Sequence, residues 1–456
     1  MKLSCIINRV AVLREKLSNS IGFPFREILT ETMIQRALQE EGISYRKRLY
    51  TPMITLWIWL CQVLDKDKSC KKAVSRIVSY LIASGDTPPS TNTAGYCKAR
   101  KRLKERFLLR LVRYIGKHLH QQDRGLWCGR RVFIVDGSTV TMADTQDNQT
   151  EYPQPESQAE GCGFPMANIV ALFCLTGALL EAVIDALTTH ELNLFRSLYQ
   201  RLQPGDVALG DRLYGSYADV CLIQANKLDC VFRMHWRRKT DFRKGKILGC
   251  YDHIVHWIKP HTRPQGLDPA LYEKLPENIK LREVRFRVET KGFRSQEITL
   301  VTTLLDADAY PKEALAELYS LRWDVEINLR HLKTTMQMEH LSARTPHMVR
   351  NEFYVHLLAY NLIRTIMSQA AAEHEITPLG MSFQATIQHL SNFIYILAYA
   401  DAELRESIYS ALLYLVSKER LLIRKGRVEP RVKKRRPKNY GWLQQPRRQL
   451  QKQLIA

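Results

Sequence analysis

RVFIVDGSTVTMA, residues 131–143, decides the fold. Four apolar residues, Val132 to Val135, run into Asp136 and Gly137, and a mix of small, β-branched and polar residues follows. Such residues suit a pleated, partly buried surface, so the stretch reads as a strand. An Asp before a Gly at the end of an apolar run either caps a turn or stands where the backbone opens towards a cleft.

Working outward, ANIVALFCL (167–175) and ALLEAVIDAL (178–187) read as two buried strands joined by a tight turn at Thr176-Gly177. Glu181 and Asp185 interrupt this apolar run, which argues against a membrane span. A helical stretch, Glu191 to Leu202, leads to a fourth strand, DVALGD (206–211); Ser216 to Lys227 then forms a helix before a fifth strand, DCVFRMH (229–235). The β-β-β-α-β-α-β order predicts an α/β chain and matches the ribonuclease-H-like fold. Residues 236–296 are rich in charge, Pro and Gly, with alternating segments such as LREVRFRVET, and read as a β-rich insertion. EITLVTTL (297–304) is the last strand, and Pro311 opens a long helical run ending near Met338.

Upstream, residues 1–125 read as helices, with apolar periodicity through Phe25 to Glu41, Pro52 to Leu64 and Lys71 to Ala83, and a Gly-Asp-Thr-Pro-Pro turn at 85–89. Lys98, Arg100, Lys101, Arg102, Lys104 and Arg106 crowd two helical turns beside an apolar stripe. They form either a DNA-facing helix or a solvated basic face. The expected organisation is therefore a helical DNA-binding region (1–125), a catalytic core in two parts (126–235 and 297–375) around the insertion (236–296), and a helical, basic C-terminal region (376–456).

The 456-residue chain carries a formal charge of +22. About half of that lies beyond Lys418, where the cluster RVKKRRPK (431–438) sits. A polyanionic partner follows, nucleic acid or a membrane surface, because phosphate neutralisation dominates such affinities. Met53 to Leu64 is apolar but too short to span a bilayer, and Arg9 interrupts the N-terminus where a signal peptide would stay apolar, so a cytoplasmic location is expected. The ten cysteines show no metal-ligand or disulfide spacing and read as free thiols.

Cutting a phosphodiester bond with two metal ions requires carboxylates that converge on ions about 4 Å apart. Asp136 and Asp211 both end apolar strands; the second follows VALG and leads into RLYGSY. In YSLRWDVEINLRHLK (319–333), Tyr319, Arg322, Glu326 and Lys333 fall within roughly a 60° arc of an ideal helix, with Asp324 on the far side. That face is either a site presenting a phenol, a guanidinium, a carboxylate and an ammonium, or a surface ion-pair ladder.

The spacing Y-x2-R-x3-E-x6-K resembles the YREK signature of bacterial DDE transposases of the insertion-sequence-four family. IVDG at 134–137, DRLYG at 211–215 and Trp323 beside Arg322 extend the resemblance, which covers roughly residues 90 to 365. It implies that Asp136, Asp211 and Glu326 bind two Mg²⁺ or Mn²⁺ ions, and that Tyr319, Arg322 and Lys333 hold transposon-end phosphates. Lys98, Arg100 and Arg102 are candidate DNA contacts beside them. The implied reaction is water attack that frees a 3′-OH, then attack of that hydroxyl on target DNA, by a homodimer that pairs two ends through helices after about Asn351. The alternatives are an inactive, domesticated DNA-binding protein of the same fold, or a nuclease without strand transfer. Relatives that pass through a DNA hairpin place a Trp just ahead of the last strand before the Glu helix. RSQEITLVTT (294–303) has none, while Trp236 and Trp257 lie earlier.

Overall fold

The computed structural model describes residues 3–87, 89–122, 126–264, 266–288, 296–421 and 441–455. It divides into two compact units, Met1–Asp123 with Thr176–Leu180 and Arg330–Leu421, and Arg124–Leu175 with Glu181–Leu329 and Leu422–Ala456. These do not follow the five sequential segments expected above. The physical reason is that helices distant in sequence share one core. The cluster at 431–438 lies outside the described residues.

The first unit is helical. Thr51 and Ser69 accept hydrogen bonds from Ile54 N and Lys72 N, capping helices Pro52–Leu64 and Cys70–Ala83. Pro52–Leu64 is buried almost throughout, as its uniformly apolar sequence demands. It packs, together with Glu105–Gln122, against the 28-residue helix Pro346–Glu373, which is buried along nearly all of Met348 to Met367. No helix among the described residues is long and apolar enough to cross a membrane.

The second unit is built on a sheet. Its strands are β1 (Val132–Met142), β2 (Met166–Cys174), β3 (Leu179–Ala186), β4 (Val207–Gly210), β5 (Asp229–Arg233), β6 (Lys246–Gly249), β7 (Asp252–Ile258), β8 (Asn278–Val288) and β9 (Gln296–Thr302). They lie in the order β3-β2-β1-β4-β5-β9-β8-β7-β6. The turn at Thr176-Gly177 separates β2 from β3, with Gly177 at φ +81° as a tight turn requires. β1 runs antiparallel to β2 and parallel to β4, and β4 parallel to β5. The insertion strands extend this same sheet, since β8 pairs antiparallel with β9 and β9 with β5. Buried Arg282 on β8 donates its Nε to Asp252 of β7 at 2.7 Å, which fixes their register.

The helical run after Pro311 departs from expectation. It forms two helices, Lys312–Ser320 and Trp323–Arg330, then a π-helical turn at His331–Thr335. A break and a change of helix type each alter the rotation per residue, so the ideal-helix arc from Tyr319 to Lys333 does not hold.

Candidate active site

The parallel register sets the site. Ile134 pairs with Leu209, so Asp136 and Asp211 each stand two residues further along neighbouring strands. Gly210 pairs with Phe232, which puts Arg233 level with Asp211 on the next strand. Strands lie about 4.8 Å apart, so Asp136, Asp211 and Arg233 form one row across three parallel strands, level with the carboxyl ends of β4 and β5. Asp136 itself stands within β1, paired with Ala171 of β2, and not at the strand end its apolar run suggested, because the pairing with β2 carries the strand on to Met142. Asp211 accepts a hydrogen bond from Leu213 N at 2.7 Å, which shapes the turn beyond β4.

Burial pushes the Asp136 carboxyl up to about 7. The Gly137 N–H, donating to Oδ1 at 3.0 Å, and Arg322 oppose the rise, while Asp211 and Glu191 add to it. Glu191 opens helix Glu191–Leu198, and its carboxylate accepts a hydrogen bond from the buried Tyr214 hydroxyl. Burial likewise raises the Glu191 carboxyl, with Asp211 adding to the effect. Half-buried like charges without a cation destabilise each other's ionised forms. Neither Glu191 nor Arg233 stood out in the sequence, where one is a helix-start acid and the other a charge after a strand.

Arg322 joins this row to the following helix. It is 8% exposed, lies over the Trp323 ring at 4.5 Å, and donates from Nη2 to Glu326 Oε1 at 3.0 Å. Its Nε–H is buried without an acceptor among the described residues. Burial raises the Tyr319 phenol, with Arg322 and Arg233 opposing and Asp211 reinforcing. Asp136, Asp211, Tyr319, Arg322 and Glu326 thus belong to one electrostatic neighbourhood, in which Arg322 faces both Asp136 and Glu326. Glu326 is half exposed at 49% of its side chain and is engaged by Arg322. Among the described residues no three His, Cys, Asp or Glu side chains stand close enough together to hold a metal ion. Lys333 falls in the π-helical turn, within the other compact unit.

The transposase DDE domain family model matches residues 127–362, more than half of the chain and all the strands and acids just described. The chain belongs to the DDE transposases. Along nearly its whole length this transposase chain is similar to the transposase InsG for insertion sequence element IS4 of Escherichia coli (strain K12), with 27% identity over 448 residues, 95% of this chain and 96% of the relative. It is 34% identical over 68 residues, 15% of this chain and 18% of the relative, to the transposase for insertion sequence element IS421 of Escherichia coli. Among solved structures, the cryo-EM structure of a piggyBac transposase synaptic complex with hairpin DNA aligns with a TM-score of 0.43 and 10% identity, over 86% of this chain and 84% of that one.

The two Trp candidates of the transposase chain separate clearly. Trp257 on β7 is 4% exposed, donates Nε1 to Glu283 at 2.7 Å and lies under Arg238, so it serves the core. Trp236, three residues beyond Arg233, is 68% exposed beside His235 and Arg237.

In the helical unit, Lys98, Lys101, Arg102, Lys104 and Arg106 are exposed. Arg100 corrects the expectation of a DNA contact. It is 8% exposed, stacks on Trp59 at 4.0 Å and donates to Cys70 Sγ at 3.0 Å. A helix turns that residue inward between its exposed neighbours Lys98 and Arg102, so its role is packing. Beside Arg102, the segment before helix Pro52–Leu64 closes a cavity of about 460 Å³, lined by Tyr45, Arg46, Arg48, Tyr50 and Arg102 among others and by no acidic residue. That segment was not singled out in the sequence.

Proposed function

We propose that this chain is an active insertion-sequence transposase with a ribonuclease-H-like core, which cleaves its element's terminal inverted repeats and joins the freed 3′-OH to target DNA. The observation that carries the reading is the row of Asp136 and Asp211 on the adjacent parallel strands β1 and β4, tied to Glu326 through Arg322. The donor set is all hard oxygen, and the self-repulsion of Asp136 and its acidic neighbours is what a divalent cation would relieve. Asp136, Asp211 and Glu326 would hold two Mg²⁺ or Mn²⁺ ions. When bound, such ions activate an attacking oxygen and stabilise a leaving one.

The chain's own residues supply the rest. Arg322, locked by Trp323 and Glu326, has an unsatisfied Nε–H suited to a phosphate oxygen. Tyr319 presents a phenol beside it, and Lys333 offers a point charge to a DNA phosphate. Lys98 and Arg102, with Arg46 and Arg48 around the adjoining cavity, form a phosphate-binding surface without a competing acid. Two-ended synapsis calls for a homodimer acting at the nucleoid.

The test is incubation of the full chain with a duplex carrying the element's own end, with Mg²⁺ or Mn²⁺ against chelator. Metal-dependent nicking at the repeat boundary, followed by strand joining, is expected; nicking without joining identifies a nuclease, and binding without nicking identifies a domesticated protein. In the same system, replacing Arg46, Arg48 and Arg102 together by Gln is expected to lower the slope of log affinity against log salt by about 3, equally for end and unrelated duplexes. An unchanged slope removes those residues from the interface.

A further inference from the structure

We propose that Glu191 is a positioning residue of the acidic site, acting through Tyr214 and Gly137 to hold the Asp211 turn against the Asp136 segment of β1. The proposal rests on the reading of Asp136 and Asp211 as cation-binding acids.

Glu191 sits on a firm base. His190 Nδ1 accepts from Leu192 N at 3.2 Å and starts the helix, Leu192 and Phe195 are buried, and the helix packs on β2, the partner of β1. An ionised carboxylate in the first turn is favoured by the helix dipole.

Its carboxyl group occupies the space that a side chain at Gly137 would need. A Cβ there would lie 2.2 Å from Glu191 Cδ and 2.4 and 2.5 Å from its oxygens. Glycine beside Asp136 therefore admits the carboxylate, since no real contact is that short. On the other side, Tyr214 is fully buried and its hydroxyl donates to Glu191 Oε1. The Tyr214 ring meets Phe195 of the same helix edge-on at 5.0 Å and lies 6.2 Å from Phe232 of β5. Gly210 is pressed against that ring, with a hypothetical Cβ 2.8 Å from Tyr214 Cδ2.

One carboxylate thus contacts the residue after Asp136 and the residue three beyond Asp211. Packing alone would be met by an apolar side chain. The linkage explains the acceptor: a side-chain carbonyl or carboxylate oxygen at this place takes the hydrogen bond of the buried phenol, and so pins the turn that carries Asp211.

The test uses the full chain in two measurements. Hydrogen–deuterium exchange of residues 208–218 in the metal-free protein reads the brace itself, and Mn²⁺ affinity without DNA reads its consequence at the site. Glu191→Ala and Tyr214→Phe are each expected to speed exchange in that segment and to weaken Mn²⁺ binding by about tenfold, the size of effect typical for groups that orient ligands. The double variant should be no worse than either, because both break one linkage. Glu191→Gln keeps an acceptor oxygen and should recover both readouts to within about threefold of the native chain. Unchanged exchange and affinity in Tyr214→Phe, or a Gln variant as impaired as Ala, overturns the proposal; these two variants also decide it if Glu191→Ala does not fold. A native chain that binds no Mn²⁺ overturns the cation reading instead, while the exchange data still judge the brace.

Discussion

Asp136→Asn is expected to abolish metal-dependent strand cleavage, by roughly a thousandfold or more, while leaving duplex affinity within about twofold. Asn keeps the shape and an acceptor oxygen but cannot ionise, so a loss restricted to cleavage assigns the role to the charge. A variant that still nicks the end duplex would remove Asp136 from the chemistry. The same substitution has a consequence for stability without metal. The Asp136 carboxyl titrates near 7 in the folded chain, raised by burial, with Asp211 and Glu191 adding and Arg322 opposing. Unfolded, it titrates near 3.9. Between those values the folded chain holds a proton that the unfolded chain has lost, so the contribution of this group to stability is fully present below about pH 4 and is lost as pH rises to about 7. Partly solvated, the site should lose on the order of 1–3 kcal/mol across that window. In chelator, Asp136→Asn should therefore melt a few degrees above the native chain at pH 8 and lose this advantage at pH 4. Equal melting at pH 8 would show that the carboxyl is not destabilised by its surroundings.

Arg322→Ala is expected to lower cleavage of the end duplex by about a hundredfold or more, the usual size of effect when a preorganised donor to a reacting phosphate is removed. Its stability cost should be small. The variant loses stacking on Trp323, on the order of 1 kcal/mol, but also removes a buried guanidinium whose Nε–H is unsatisfied. Arg322→Lys keeps a charge near Asp136 and Glu326 without the planar fork, and should fall between the two. Cleavage kinetics beside thermal melting separate the cases: a loss of activity that merely tracks a loss of folding would contradict a phosphate-holding role.

Local pattern carried much of this reading. The apolar runs before Asp136 and Asp211, the turn at Thr176-Gly177 and the uniformly apolar Pro52–Leu64 are each written in a few consecutive residues, because strand alternation, turn chemistry and burial all leave short-range marks. Arg100 shows the limit of such marks. It looks like its neighbours Lys98 and Arg102, and only the position of Trp59 and Cys70 turns it from a surface charge into a packed one. The run from Tyr319 to Lys333 shows another, since helical periodicity extrapolated over two turns or more fails once the chain breaks after Ser320 and changes type at His331.

By itself the sequence determined the apolar runs that lead into Asp136 and Asp211 and the helical stretch around Glu326, because those follow from nearest neighbours along the chain. Tertiary structure alone decided that β1 pairs with β4 in the register that sets Asp136 level with Asp211, that Arg233 completes the row, and that Glu191 enters beside Gly137 to meet Tyr214. The physical reason is that register and side-chain contact between distant segments depend on how whole faces pack, which no local period encodes.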